Sequence, residues 1–395
     1  MPNPPTSTQK VTNHKSTKTA EQATQTEKKE RPLMLVDVLT SPEKLIHASP
    51  RSQSQLIAEA RYFNMLAQLK FVCEDAGIWY QLPLRVKQHI CSAEHSFKNQ
   101  RRQLEIEHQA IHSALHHLGC RWVYLKGAAY QMLELPCFFG RLMNDIDILV
   151  DEQELPRVEA ALNEHGWTHK KLTDYDEQFY REWSQEIPPL RHFERQTELD
   201  VHFNILPKKL NSAPKAELLL EQAQSLNDGS HAASLSPAAL LIHSAIHLFY
   251  ESEYHKGIRD LFDIHLLIKQ FGKDDHFWSQ LIELQQQLGN ASSTFYALHF
   301  SQWLFESDVP DKVNQFYQAF KPNALIWAFT NPAFYYVFTS MYPPHNHSGH
   351  FKSTSTLYLR GHFKRLPFYK LIPHLAKKLI IKLKPNKDSE NPLEQ

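Results

Sequence analysis

Two aspartates stand one residue apart in the run Asn144-Asp145-Ile146-Asp147-Ile148-Leu149-Val150. On a β-strand this spacing sends Asp145 and Asp147 to one face while Ile146, Ile148 and Val150 turn to the other, toward a core. Like charges held side by side repel unless a cation lies between them, and a hard divalent ion such as Mg²⁺ or Mn²⁺ prefers carboxylate oxygens while keeping positions free for substrate phosphates. Farther on, Glu198-Leu199-Asp200-Val201-His202 repeats the alternation, with Glu198, Asp200 and His202 on one face. Asp200 then becomes a candidate third carboxylate. Carboxylates from neighbouring strands can hold two metal ions that orient a triphosphate, neutralise developing charge and lower the pKa of an attacking hydroxyl.

Other residues of the right type lie close in the sequence. Lys126-Gly127 reads as a glycine turn feeding a helix, a place where backbone N–H groups approach phosphate oxygens and the helix dipole favours an anion. Arg141 precedes the aspartate pair and suits a bidentate phosphate clamp. His243 and His247 are four apart, as zinc-binding pairs can be, but the run HSAIH lacks the glutamate of HExxH, so histidines that are buried or line a cleft are the expectation. Asp260, Asp263 and His265 suit hydrogen bonds between helices. A metal-dependent phosphohydrolase built on His243, His247, Asp260 and Asp263 is a third reading, without the His-Asp dipeptide that would support it. Trp167, Tyr175, Phe179, Tyr180 and Trp183 form an aromatic stretch suited to packing an irregular insertion or to stacking on a base or sugar.

These side chains need elements to position them. Leu56, Ala60, Phe63, Ala67 and Phe71 recur at helical steps, so Ser52 to Val72 is expected to be a helix; Arg101 to Leu118 is a second, stopped by Gly119. Arg121 to Leu125 is a β-prone run, followed by the Lys126-Gly127 turn and a helix from Ala128 to Leu135. Ile146 to Val150 and Glu198 to Ile205 are further strands, with a helix from Leu155 to His165 stopped by Gly166. After Ser236-Pro237 the pattern is helical: Ala238 to Tyr250, Ile258 to Phe271, Phe277 to Leu288 and Ser292 to Phe305. The expected class is α+β, with α/β-like character: a small mixed sheet with flanking helices and a helical C-terminal half. The divisions are residues 1–32 (a disordered tail), 33–119 (helical), 120–206 (the core), 207–345 (helical) and 346–395 (a basic helix and tail).

Composition narrows the classes. Lys plus Arg and Asp plus Glu both number 43 in 395 residues, so no excess positive charge advertises nucleic acid, and no specific nucleic-acid partner is expected. Cys73, Cys91, Cys120 and Cys137 form no CxxC pair, which leaves free or buried thiols in a reducing compartment. Residues 1–32 hold almost no large apolar side chains to offset the entropy of ordering, and no apolar run is long enough for a signal or a membrane span. A cytoplasmic location follows as the expectation. Near the C-terminus Phe368, Leu371, Ile372, Leu375, Leu379 and Leu383 share a helical stripe among lysines, a pattern that suits peripheral contact with the inner face of a membrane or packing on the domain.

The run LKGAAYQMLELPCFFGRLMNDIDILV, followed at a distance by ELDVHF, resembles the uncharacterised bacterial nucleotidyltransferase family of the polymerase-beta-type superfamily. The likeness continues through LLIHSAIHLF, IRDLFDIHLLI and LRGHFKRLPFYKLIPHLAKK, and so covers most of the chain after about residue 50. The resemblance implies transfer of a nucleoside monophosphate from an NTP, such as ATP, to a hydroxyl acceptor with release of pyrophosphate. It implies Mg²⁺ or Mn²⁺ held by Asp145 and Asp147, and Asp200 as third carboxylate and general base. Lys126, Gly127 and Arg141 would contact the nucleotide, and the acceptor would be a small molecule, a sugar, a lipid-linked intermediate or a protein. Ala128 stands where the superfamily turn often has Ser or Gly, so the serine hydroxyl that commonly touches phosphate is missing. That departure leaves open a catalytically weak protein that binds nucleotide or a partner on the same fold.

Overall fold

The computed structural model describes residues 34–365 apart from 170–171, 211, 227 and 346–348. The polar tail expected over residues 1–32 and the apolar stripe from Phe368 to Leu383 lie outside the described residues. Seven strands form one mixed sheet: β1 (Trp122–Tyr124), β2 (Ile146–Leu149), β3 (Trp167–His169), β4 (Leu190–His192), β5 (Glu198–His202), β6 (Ala223–Ser225) and β7 (Ala232–Leu235). Their order across the sheet is β3-β4-β5-β2-β1-β7-β6, so β2, with all four residues buried, is the middle strand. It runs antiparallel to β1, with Val123 opposite Leu149, and parallel to β5, with Ile146 opposite Leu199 and Asp147 opposite Asp200. The three strands read from the sequence are thus the contiguous centre, and the flanks β3, β4, β6 and β7 add to them. Trp167, expected in an irregular insertion, lies fully buried on β3.

Helices cover the sheet from both ends of the chain. The N-terminal group is α1 (Leu35–Thr40), α2 (Lys44–His47), α3 (Pro50–Tyr62), α4 (Gln68–Asp75) and α5 (Leu84–Leu115). The single helix expected over 52–72 is broken: Asn64 takes a left-handed φ of 57°, and the Met65 N–H reaches back to the Ala60 carbonyl at 2.7 Å, a helix-ending motif that asparagine tolerates. The helix expected from Arg101 instead starts at Leu84, after Pro83, and ends at Leu115 before a short 3₁₀ turn and Gly119 at φ 67°. Its buried stripe runs through Val86, Ile90, Glu94, Phe97, Leu104, Glu107 and Ile111, so buried glutamates hide its apolar period.

Next along the chain are α6 (Lys126–Met132), α7 (Leu155–Glu164), α8 (Asp174–Trp183) and α9 (Ala216–Glu221), interleaved with the strands. The C-terminal half is helical, as expected: α10 (Pro237–Tyr250), α11 (Gly257–Phe271), α12 (Asp275–Leu288), α13 (Ala291–Phe305), α14 (Asp311–Gln318), α15 (Ala324–Thr339) and α16 (His350–Arg365). Ser236 caps α10 by accepting from the Ala239 N–H, and Pro237 fills its first turn. Because α10 is apolar almost all round, it is buried on nearly every side, the arrangement such a composition demands. The four cysteines are free, with Cys73, Cys120 and Cys137 buried. Among the described residues no helix is long and apolar enough to cross a membrane.

One polar knot fastens the sheet to α5. Glu107 is fully buried and accepts from Arg195 Nε at 2.8 Å, Arg195 Nη2 at 2.9 Å and the Thr197 hydroxyl at 2.7 Å, all from the β4–β5 connection. Burial works to raise the Glu107 pKa, but the Arg195, Thr197 and Gln103 hydrogen bonds outweigh it and hold the carboxyl below the usual range. Removing Arg195 leaves a buried carboxylate without its cation. Arg195→Ala is therefore expected to lower stability by about 3–5 kcal/mol, read as a fall in the urea midpoint at neutral pH.

Candidate active site

The parallel pairing of β2 with β5 sets Asp147 directly across from Asp200, so the adjacency that a third carboxylate requires is present. Asp145 sits in the bend just before β2 rather than on it, and still faces the same space as Asp147. That space is a cavity of about 290 Å³, walled also by Lys126, Gly127 and Arg141. The cavity lining does not include Asp200, which lies one strand away with a buried Oδ1 that has no hydrogen-bond partner among the described residues.

Charge is concentrated around Asp147, which is only 3% exposed. Its Oδ1 accepts from Lys126 Nζ at 2.9 Å and lies 2.9 Å from His202 Nε2, whose other ring nitrogen is 3.3 Å from Glu186 Oε2. Burial alone would raise the Asp147 pKa; the Lys126 ammonium and His202 imidazole reverse that and hold it well below the ordinary range. For Lys126 and His202 burial acts to lower the pKa, and the facing carboxylates overcome it, raising both. Asp145 is raised by burial and by Asp147. Asp200 is pushed up to about 7 by burial and then by the charges of Glu186 and Asp147. Negative charge exceeds the cations available to meet it.

Three positions are placed differently from the sequence reading. Lys126 and Gly127 form no turn before a helix; they are the first two residues of α6, and the left-handed φ of 47° falls on Lys126, a conformation that costs about 1–2 kcal/mol outside glycine. Gly127 is required for space, since a β-carbon there would overlap the Arg141 guanidinium and the Met143 side chain. Arg141 does line the cavity, but it is 7% exposed and already engaged: its Nε donates to Asp263 at 2.6 Å and its Nη2 lies 3.5 Å from Asp260. It serves first as a strut between β2 and α11. The helix-to-helix reading of Asp260, Asp263 and His265 gives way to ties between α11 and loops: Asp263 and Asp260 meet Arg141 in the loop before β2, Asp260 also meets its own neighbour Arg259, and His265 Nδ1 lies 2.8 Å from the hydroxyl of Ser307, just past α13.

His243 is buried, and burial drives its pKa down to about 3; His247 lines the cavity and is likewise kept neutral by burial. The sequence reasoning missed Lys256 and Arg259, which also line the cavity; Arg259 is 6% exposed, with its Nε and Nη2 on Asp260 at 2.9 and 2.6 Å. They stand at the N-terminus of α11, whose N-cap residue Lys256 makes no side-chain cap. A signal was available: Lys256-Gly257 repeats the Lys126-Gly127 pair at the head of a helix.

A family model described as uncharacterised nucleotidyltransferase matches residues 49–306, a span that contains every cavity residue named above. The chain belongs to this nucleotidyltransferase family. No curated protein and no solved structure matches it. Membership supports nucleotidyl transfer as the general activity, and the family match takes in β2, β5 and α11 together.

The raised pKa of Asp200 has a measurable consequence in this nucleotidyltransferase without added metal. Between roughly pH 4, where an unfolded aspartate titrates, and about 7, the folded protein binds the extra proton, so stability falls as pH rises through that window. Asp200→Asn is expected to be more stable than the parent at pH 8 by on the order of 2 kcal/mol and equal to it at pH 4. Paired thermal melts with chelator present read the difference.

Proposed function

We propose that this protein transfers a nucleoside monophosphate from an NTP to a hydroxyl acceptor, releasing pyrophosphate, with Mg²⁺ or Mn²⁺ bound at Asp145 and Asp147. The observation that carries the reading is the β2–β5 register, which aligns Asp147 with Asp200 beside a cavity walled by Lys126, Lys256 and Arg259. The donor set fits such an ion: Mg²⁺ is commonly held by one or two carboxylates and completed by water and phosphate oxygens. The unpartnered Asp200 oxygen and the raised pKa values of Asp145 and Asp200 mark surplus negative charge that a cation would relieve.

When bound, the ion supplies charge neutralisation on the phosphates and acidifies the acceptor hydroxyl. The chain's own residues do the rest. Lys126 and Lys256 grip the triphosphate, Arg259 adds its charge from the wall while it stays on Asp260, and the N-terminus of α11 adds its dipole. The acceptor oxygen attacks the α-phosphorus, the bond to the pyrophosphate oxygen breaks, and the hydroxyl proton passes to Asp200. With a pKa of about 7 in the metal-free protein, Asp200 is poised to take a proton near neutral pH. His202, held between Asp147 and Glu186, fixes the orientation of the Asp147 carboxylate.

One observation favours a second reading, a protein that binds nucleotide without turning it over: the Lys126 ammonium already sits on Asp147 Oδ1. Release of pyrophosphate from each NTP in the presence of Mg²⁺ and a cell extract separates the two. Transfer predicts labelled product from an α-labelled NTP, with Asp145→Ala and Asp147→Ala each reduced by on the order of a hundredfold or more. Nucleotide binding without product in every extract fits the second reading, and unchanged turnover in both variants contradicts the first.

A further inference from the structure

A second cavity, of about 510 Å³, opens beside the charged one and shares two lining residues with it, Glu253 and His255. Those two side chains are 65% and 63% exposed and 3.7 Å apart, so the partition between the cavities is a pair of solvated side chains on the α10–α11 connection rather than packed core. The walls change character across it. On the far side Tyr254, Val337 and Met341 are buried at the floor, and Phe351, Tyr358 and Leu359 of α16 flank the opening with 81%, 38% and 47% of their surfaces exposed. Apart from the shared Glu253 and His255, the lining holds no side chain of Asp, Glu, Lys or Arg; its polar groups are hydroxyls, among them Ser252 and Ser355, and the His350 ring.

The volume lies inside the roughly 300–1,000 Å³ typical of small-molecule sites, and the mix of apolar wall with a few hydroxyls is the composition such sites show. A triphosphate suits the charged cavity and no part of the apolar one. The rest of an NTP is a neutral sugar carrying a flat aromatic base, and it must leave the phosphates at one end. Asp147 lines the charged cavity, with Asp200 beside it on β5 as the base for the acceptor hydroxyl. Glu253 and His255 line the charged cavity as well, at the place where the apolar cavity begins.

We infer that the apolar cavity between the α10–α11 connection and α16 is the nucleoside subsite, with the base lying against Tyr358 and Phe351 and its polar edge meeting the hydroxyls of Ser252 and Ser355. This inference rests on the nucleotidyl-transfer reading above and adds the part of the substrate that the carboxylates do not see. It assigns specificity among NTPs to α16, a helix that lies beyond the family match at 49–306.

The test measures binding alone, with the full chain, Mg²⁺, the four common NTPs and inorganic triphosphate as probes, by calorimetry. At least one NTP is expected to bind about tenfold or more tightly than inorganic triphosphate, the scale of one base stacked on an aromatic ring. Ser355→Trp, which fills the cavity, and Tyr358→Ala, which removes the ring, should each erase most of that advantage while leaving triphosphate binding unchanged; the unchanged arm also shows that the variants are folded. Equal affinity of triphosphate and every NTP overturns the inference, as does undiminished NTP binding by both variants. If those variants keep NTP binding but lose transfer, the cavity belongs to the acceptor and the inference is wrong. Triphosphate binding that is absent, or indifferent to Asp145→Ala and Asp147→Ala, refutes the underlying reading instead.

Discussion

The structure depends on a surplus of negative charge held at the middle of its sheet. Asp147 on β2 and Asp200 on β5 are brought opposite one another by parallel pairing, Asp145 enters the same cavity from the preceding bend, and Glu186 faces His202 close by. Burial magnifies each repulsion, because the carboxylates have little water to screen them. Lys126 and His202 answer it at Asp147 and leave Asp145 and Asp200 under-compensated, as their raised pKa values show. Lys126 reaches its place through a left-handed backbone conformation, a local strain of the kind that gathers at functional sites. A fold concerned only with stability would replace such a cluster with apolar side chains.

The helical half is tied to this cluster by specific polar struts. Arg141 leaves the loop before β2 and is received by Asp263 and Asp260 of α11, while Tyr130 of α6 meets the Ser244 hydroxyl of α10 at 2.6 Å. Gly127 must lack a side chain so that Arg141 and Met143 can lie against α6. These contacts hold the start of α11, with Lys256 and Arg259, at the cavity that Asp145 and Asp147 also line. A long helical segment far along the chain thereby supplies half of the cavity wall.

The sequence exposed those parts of the fold where one physical signal dominates. β1, β2 and β5 stand at the sheet's centre, where burial on both sides or clean alternation leaves a plain pattern, while α11 and α12 carry strong helical spacing and α10 has a Ser-Pro start. The flanking strands β3, β4, β6 and β7 are as short as β1 and β2 but hold no Val or Ile, so their composition gives only a weak strand signal. The first half of α5 was hidden in part because Glu94 occupies a buried position that Lys98 and the sequence-distant Lys70 make tolerable. The aspartates were legible from spacing alone, and the adjacency of β5 to β2 became visible only in three dimensions. Lys126 and Arg141 were found as cations, but not their engagement by Asp147 and Asp263, since an ion pair across such separations leaves no local trace.

The central claim is that the aspartates bind a divalent ion together with the nucleotide's phosphates. Electron paramagnetic resonance of Mn²⁺, titrated into the protein with and without a non-hydrolysable NTP analogue, tests it most directly. The account predicts that the analogue strengthens Mn²⁺ binding, and that Asp145→Asn and Asp147→Asn each weaken it by about tenfold or more. Mn²⁺ binding that is identical in the parent and both variants, with the analogue present, would contradict it.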